Sequence, residues 1–531
     1  MRRAILVISA VAFLCLHIST KLFAIGILAA IPFLLYFALK KPYHAAPRSM
    51  RAAGKLFCAL TAAGVCLWPI DPFAAWLRSI TAFQRLQGFL GVELALLSQI
   101  AAVCFAAAGF LFAYRMVCLF YERFFAIARD VARDFSKVEG LVILAAAVIL
   151  TAAVVAVYTK TDAFASRVVT RDLIYTADSG AIVYENAYLS LGALENDYRS
   201  PLFAVFAAPL MGLPYLISRI APIPNAMATV LAASQAPLLV ASFVLLMKMI
   251  KGVSKAARLL LPLVLLTAYS GLLFTVMAEQ YVIALFYLSL CLYSLAERGR
   301  REQLLVLGAA GTMLTSAVAA FLPERSGKKL KDILKDGLIS GLWGAALMFT
   351  FGGFGIILRS RDDLGFFVRF SGASVAFFDR VNQFVSYVGY IFAAPQAGMY
   401  LAPDGYAKWR IAETGGLGIP GIVILALACA GFVINRKQAF AKISMGWVAV
   451  SALLLCVLGW GTAEKGLTLY TLYFGWAYAA LLAYLVESGL KAVKLERFSW
   501  VVYSLGAAAM LFYNLPRIWE LILFAMANYP V

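Results

Sequence analysis

Carboxylates, tyrosines and arginines crowd into one stretch of an otherwise apolar chain, and their types bound the chemistry it can do. Residues 159–200 carry Arg171, Asp172, Tyr175 and Asp178, then Tyr184, Glu185 and Asn186, then Glu195, Asn196, Asp197, Tyr198 and Arg199. The two histidines, His17 and His44, lie in the first apolar run and in a basic loop. Acid–base work at this stretch therefore falls to carboxylates, Tyr or Lys. Asp178 stands among apolar neighbours, where a carboxylate is costly unless it is used. A solvated charged loop is the plainer alternative, yet loops this long are more often functional.

The elements that must position these groups are helices in a lipid bilayer. A mean hydropathy of +0.87 over 531 residues, with 63% hydrophobic and 14% charged residues, lies outside the range of soluble globular chains. Apolar runs of 17 or more residues suit helices rather than the alternating strands of a membrane barrel. The net charge of +19 comes from short basic clusters between those runs, as in cytoplasmic loops, and not from a nucleic-acid-binding face. Met1-Arg2-Arg3 and the run after it read as a retained first helix, because Lys21 and a second apolar run follow with no cleavage site.

The expected fold is all-α and polytopic, with 13 full spans. They lie near 4–20, 22–39, 54–70, 91–117, 140–158, 225–247, 259–277, 280–296, 336–357, 417–434, 443–462, 469–487 and 499–515. Two further stretches, 201–221 and 304–322, are expected to be re-entrant or interfacial. If 201–221 crossed, the clusters Lys248 to Arg258 and Arg298 to Arg301 would fall outside, against the positive-inside rule. With a cytoplasmic N-terminus, two long external loops result, 159–200 and 358–416, and Tyr121 to Lys137 reads as an amphipathic surface helix. Arg359, Arg361, Asp362, Asp363, Arg369, Asp379 and Arg380, with Phe377 and Phe378, suit an interfacial lid in the second loop and, equally, a plain membrane-surface helix.

Three short motifs, in order, resemble the GT-C membrane glycosyltransferases, in the branch of protein O-mannosyltransferases and lipid A aminoarabinose transferases. They are Asp178-Ser179 with Arg199-Ser200-Pro201-Leu202, then Ala278-Glu279-Gln280-Tyr281, then Glu464-Lys465 with Tyr470 before an apolar helix. The resemblance covers roughly 140–490. It departs where Ser179 replaces a second acid, Ser200 a first proline, and Gly466 the Leu-Pro after the lysine. It implies that residues 1–139 are an N-terminal transmembrane extension and 140–531 the catalytic region.

The resemblance further implies inverting transfer of a sugar from a polyprenyl phosphate to a lipid, glycan, wall-polymer or protein acceptor outside the cell membrane. Asp178 would then be the general base, and Arg199 and Lys465 would neutralise the departing phosphate. Glu185, Glu195, Asp197 and Glu279 would orient sugar hydroxyls or hold a divalent cation, and both roles stay open. Tyr470 completes the candidate set. Plainer readings have Glu279 as a water-facing helix end, Lys465 snorkelling and Arg199 anchoring the loop to headgroups. The rival function is a secondary transporter or lipid flippase, although the span interiors hold few ionisable residues and no inverted repeat is visible.

Overall fold

The computed structural model describes residues 52–79, 84–85, 91–133, 135–169, 172–190, 199–322, 330–350, 371–372, 374–412, 418–463 and 465–531. The expected spans at 4–20 and 22–39, and with them the side of the N-terminus, lie outside these residues. Helices α1 (Ala52–Leu67) and α2 (Ile70–Ser79) precede α3 (Leu94–Ala132), a single helix of 39 residues. The stretch expected as a separate surface helix is thus largely the C-terminal part of α3, which no proline breaks. A capping box starts α4 (Lys137–Tyr158): Ser136 Oγ accepts the Glu139 amide at 3.2 Å, and the Ser136 amide donates to Glu139 Oε2 at 2.6 Å.

Six helices follow before the centre of the bundle. They are α5 (Ser179–Tyr184), α6 (Phe203–Ile220), α7 (Ala226–Ala233), α8 (Gln235–Lys248), α9 (Lys255–Thr267) and α10 (Tyr269–Val276). The centre is α11 (Gln280–Ala296), every residue of which is buried. Helix α12 (Gln303–Thr312) gives way to a 3-10 turn at Leu314–Phe321, and α13 (Leu330–Thr350) and α14 (Phe377–Tyr390) come next. Strands β1 (Ala397–Leu401) and β2 (Ala407–Ile411) lead to α15 (Gly418–Asn435) and α16 (Ala439–Ser451), which ends in a π turn. Helices α17 (Thr471–Ala492) and α18 (Ser499–Asn528) close the described chain.

Seven described helices are long and apolar enough to cross a membrane, or eight if the bent pair α9–α10 is one span. That composition is that of a helical, multi-pass membrane protein. The count falls below the expected 13 partly because the runs at 54–70 and 280–296 yield helices of only 16 and 17 residues. Phe203–Ile220 is one continuous helix of span length despite Pro209 and Pro214, whereas 304–322 is broken at Met313.

Helix α11, about 26 Å long at 1.5 Å per residue, separates two polar ends of the bundle. Beyond its C-terminus Arg298 pairs with Asp130 at 2.6 Å and Glu302 at 3.0 Å, and Lys251 pairs with Glu297 at 2.6 Å. Lys248 Nζ donates to the Val131 carbonyl there at 2.8 Å. Three basic stretches far apart in sequence thus share one end. Glu279, just before α11, marks the other.

Broken helices need neighbours to satisfy their backbone, and the 64° bend between α9 and α10 has them. The amides of Tyr269 and Ser270 donate to the carbonyls of Phe392 and Ile391 at 3.2 and 3.3 Å. Fully buried Asn514 of α18 donates to the carbonyls of Thr267 and Phe392 at 3.1 and 2.7 Å. The expected all-α fold holds apart from one small hairpin among the described residues. Asp404 Oδ1 accepts the Tyr406 amide at 3.1 Å and Gly405 takes φ 83°, turning β1 into antiparallel β2.

Candidate functional site

The hairpin ties the second expected loop to the first. Trp409 of β2 donates its amide to the Leu173 carbonyl and accepts the Tyr175 amide, both at 2.8 Å. The chain after α18 joins them: the Asp162 amide donates to the Tyr529 carbonyl at 3.1 Å, and the Tyr529 hydroxyl to the Ala407 carbonyl at 2.6 Å. Three segments therefore brace the turn that presents Asp178. Asp172, Tyr175 and Asn186 in this turn region take left-handed φ values of 61°, 56° and 50°. Such backbone is costly for residues other than Gly and is held only by surroundings that over-determine it.

Asp178 is the N-cap residue of α5. Its amide donates to Glu279 Oε1 at 2.9 Å, and the Ser179 hydroxyl donates to the same oxygen at 3.3 Å. Its own carboxylate faces Arg199, with Oδ2 3.5 Å from Nη2, and the two side chains remain 29% and 21% exposed. A partner reaching Asp178 from outside therefore meets a carboxylate beside a guanidinium. Glu279, only 2% exposed, lies beneath them. Its position suits holding the Asp178 turn better than touching a substrate.

The break in the 304–322 stretch positions Arg199. Where α12 stops, the Gly311 carbonyl accepts the Leu202 amide at 3.0 Å and the Leu314 amide donates to the Arg199 carbonyl at 2.6 Å. Ser200, standing where the resembled family has proline, donates its hydroxyl to Gln280 Oε1 at 2.8 Å. From the far end of the chain, Tyr470 brings its hydroxyl to the Arg199 side chain. Trp460 Nε1 donates to that hydroxyl at 2.8 Å, and the Tyr281 ring meets Tyr470 edge-on at 5.7 Å. Lys465 takes a left-handed φ of 53° and is exposed. The next residue must be small: a Cβ on Gly466 would lie 2.7 Å from Thr176 Oγ1. Lys465 therefore stands beside the turn that leads to Asp178.

Four of the eight candidate residues, Asp178, Arg199, Glu279 and Tyr470, thus form one cluster, with Lys465 next to it. Glu185 is the C-cap of α5 and exposed; Asp178 and Glu185 sit at opposite ends of a helix of six residues. Glu195 and Asp197 lie outside the described residues. Among the described residues no group of three or more His, Cys, Asp or Glu gathers as a cation site. Trp460 is the participant that motif reading missed. Its flanking glycines were the signal: Gly459 and Gly461 take φ of 69° and 76°.

Burial first, and the Asp178 charge second, push the Glu279 carboxyl up to about 8 from its ordinary 4.5. The Asp178 amide, the Arg199 guanidinium and the Ser179 hydroxyl oppose this. The folded protein then keeps a proton that the unfolded chain releases above 4.5. The associated stability is complete below 4.5 and drains away as pH rises to about 8. The apparent Tm of the wild type is accordingly expected to fall across this window, and that of Glu279→Gln to fall much less. Equal slopes in the two proteins would contradict the assignment.

No family model, curated protein or solved structure matches this chain.

Proposed function

We propose that this protein is a membrane glycosyltransferase that moves a sugar from a polyprenyl phosphate to an acceptor hydroxyl on the external side of the membrane. The observation that carries the reading is the gathering of Asp178 and Arg199, from one polar stretch, with Tyr470, 271 residues after Arg199, at the bundle end opposite the basic clusters. Asp178 takes the acceptor's proton as the acceptor oxygen bonds to the anomeric carbon. The bond from that carbon to the phosphate breaks on the opposite face, and its electron pair leaves with the polyprenyl phosphate, inverting the centre. Arg199 stabilises the departing phosphate and Lys465 meets it from the rim, where cation contacts strengthen as charge develops.

A proton-coupled transporter would also use a buried acid such as Glu279. Purified protein in liposomes, supplied with polyprenyl-phosphate sugars and an external acceptor, separates the two. Release of polyprenyl phosphate with glycosylated acceptor supports transfer, and uptake of unmodified substrate supports transport.

The reading requires the Asp178 end to be external, and the path of α6 bears on this. Before α6, Ser200 bonds Gln280; after it, the Tyr184 hydroxyl donates to Asn225 Oδ1 at 2.5 Å. Both flanks belong to the Asp178 end, and only α7 and α8 carry the chain away to Lys248. This supports a path for α6 that does not cross and a cytoplasmic side for the basic clusters. Single cysteines at Ser254 and Gly299 are expected to resist a membrane-impermeant reagent in intact cells. Labelling of either from outside would reverse the orientation.

A further inference from the structure

A cavity of about 440 Å³ opens at the basic end of the bundle, between α3, α4, α8 and α11. Its wall is almost wholly apolar, with Phe124, Ile127, Val131, Ile143, Val244 and Leu290 among its lining. Its size falls in the range of small-ligand pockets, about 300–1,000 Å³. Polar groups enter the lining only at the link between α3 and α4, where Ser136 and Lys137 stand. On its other side α4 exposes Leu141, Leu144, Val148 and Ile149, so the helix has an apolar surface outward and the cavity inward.

Among the described residues, the more exposed charges at this mouth are cations. Arg133 is 78% exposed and only 4.0 Å from Asp130, whose stronger bond, at 2.6 Å, goes to Arg298. Glu139 spends its carboxylate on the Ser136 amide in the capping box. Lys137 is exposed. An apolar slot with a basic rim, in the part of the molecule that lipid surrounds, matches the two-part chemistry of a membrane phospholipid: a hydrocarbon tail joined to an anionic phosphate.

We propose that this cavity seats an acyl chain of an anionic phospholipid, with the phosphate against Lys137 and Arg133. The occupant belongs to the leaflet at the basic end, where anionic lipids and basic juxtamembrane residues attract one another. This site is separate from the Asp178 cluster and does not rest on the glycosyl-transfer reading. A polyprenyl phosphate is the less fitting occupant, since the groups proposed to meet its phosphate lie at the other end of α11.

The test is native mass spectrometry of the full chain released from nanodiscs of equal phosphatidylglycerol and phosphatidylcholine. The wild type is expected to retain phosphatidylglycerol in preference. Lys137→Gln, at an exposed position that leaves the fold alone, is expected to reduce that preference about fivefold. Gly140→Phe adds a ring at a lining position, where an added Cβ meets nothing within 4 Å, and is expected to abolish retention of the lipid. Equal retention of the two lipids by the wild type would overturn the proposal. So would unchanged retention in both variants, or displacement of phosphatidylglycerol by an equal amount of polyprenyl phosphate.

Discussion

Asp178→Asn is expected to lower sugar transfer by about 10² or more while the protein stays folded, because general-base catalysis contributes typically about 10²–10⁴ in rate. The substitution keeps the shape of the side chain but removes its capacity to take a proton. The contact that anchors the turn survives, since Glu279 is bonded by the Asp178 amide and the Ser179 hydroxyl, not by the Asp178 side chain. Asp178→Glu, one methylene longer, is expected to be impaired but active, since placement against the reacting atoms is tight. The measurement is the initial rate of transfer by purified protein in liposomes, with thermal unfolding as the folding control. Wild-type transfer by the Asn variant would remove Asp178 from the role of base and make neighbouring Glu279 the first carboxylate to try.

Arg199→Ala is expected to lower kcat/KM for the lipid donor by about 10–10²-fold, the equivalent of one charge-assisted hydrogen bond of about 1.5–3 kcal/mol. The guanidinium sits between the Asp178 carboxylate and the Tyr470 hydroxyl, so its fork already has a fixed direction when a phosphate arrives. Arg199→Lys keeps the charge and loses the fork, and should recover only part of the effect. Lys465→Ala, at an exposed position, should act in the same sense and less strongly. Both losses belong to the donor: the KM of the acceptor should move less than that of the donor. An unchanged donor KM in both Arg199→Ala and Lys465→Ala would separate these residues from the phosphate.

What could be read from the chain before folding followed from strong, local physics. Hydropathy dictated helices in lipid, and the cost of a carboxylate among apolar residues singled out Asp178. The convergence of Arg199, Glu279 and Tyr470 on it was suggested by motif order and not by any local property. Contacts made by backbone left no such trace. Nothing in the sequence around Leu314 announces that its amide holds the Arg199 carbonyl, and nothing near Asn514 tells that it satisfies a bend 247 residues earlier. Some of what was missed was legible. Pro403-Asp404-Gly405 is a turn signature, and reading it would have placed a hairpin in the second loop. Likewise Glu279 looked like an end residue because helix ends usually meet water; its burial depends on the Asp178 turn folding over it.

The bonds from Asp162 to Tyr529, and from Arg199 to Tyr470, also set an order in time. A chain emerging from the ribosome delivers Asp178 and Arg199 early, but the hydroxyl that steadies the arginine comes 271 residues after it and the carbonyl that binds the Asp162 amide 367 residues after its partner. Contacts of such separation form late. Until α17 has entered the membrane, the growing protein carries its acidic turn without the tyrosine and tryptophan that complete the cluster, and until α18 follows, the turn lacks its clasp. On the proposed reading, a nascent chain therefore lacks a complete transfer site until insertion is finished.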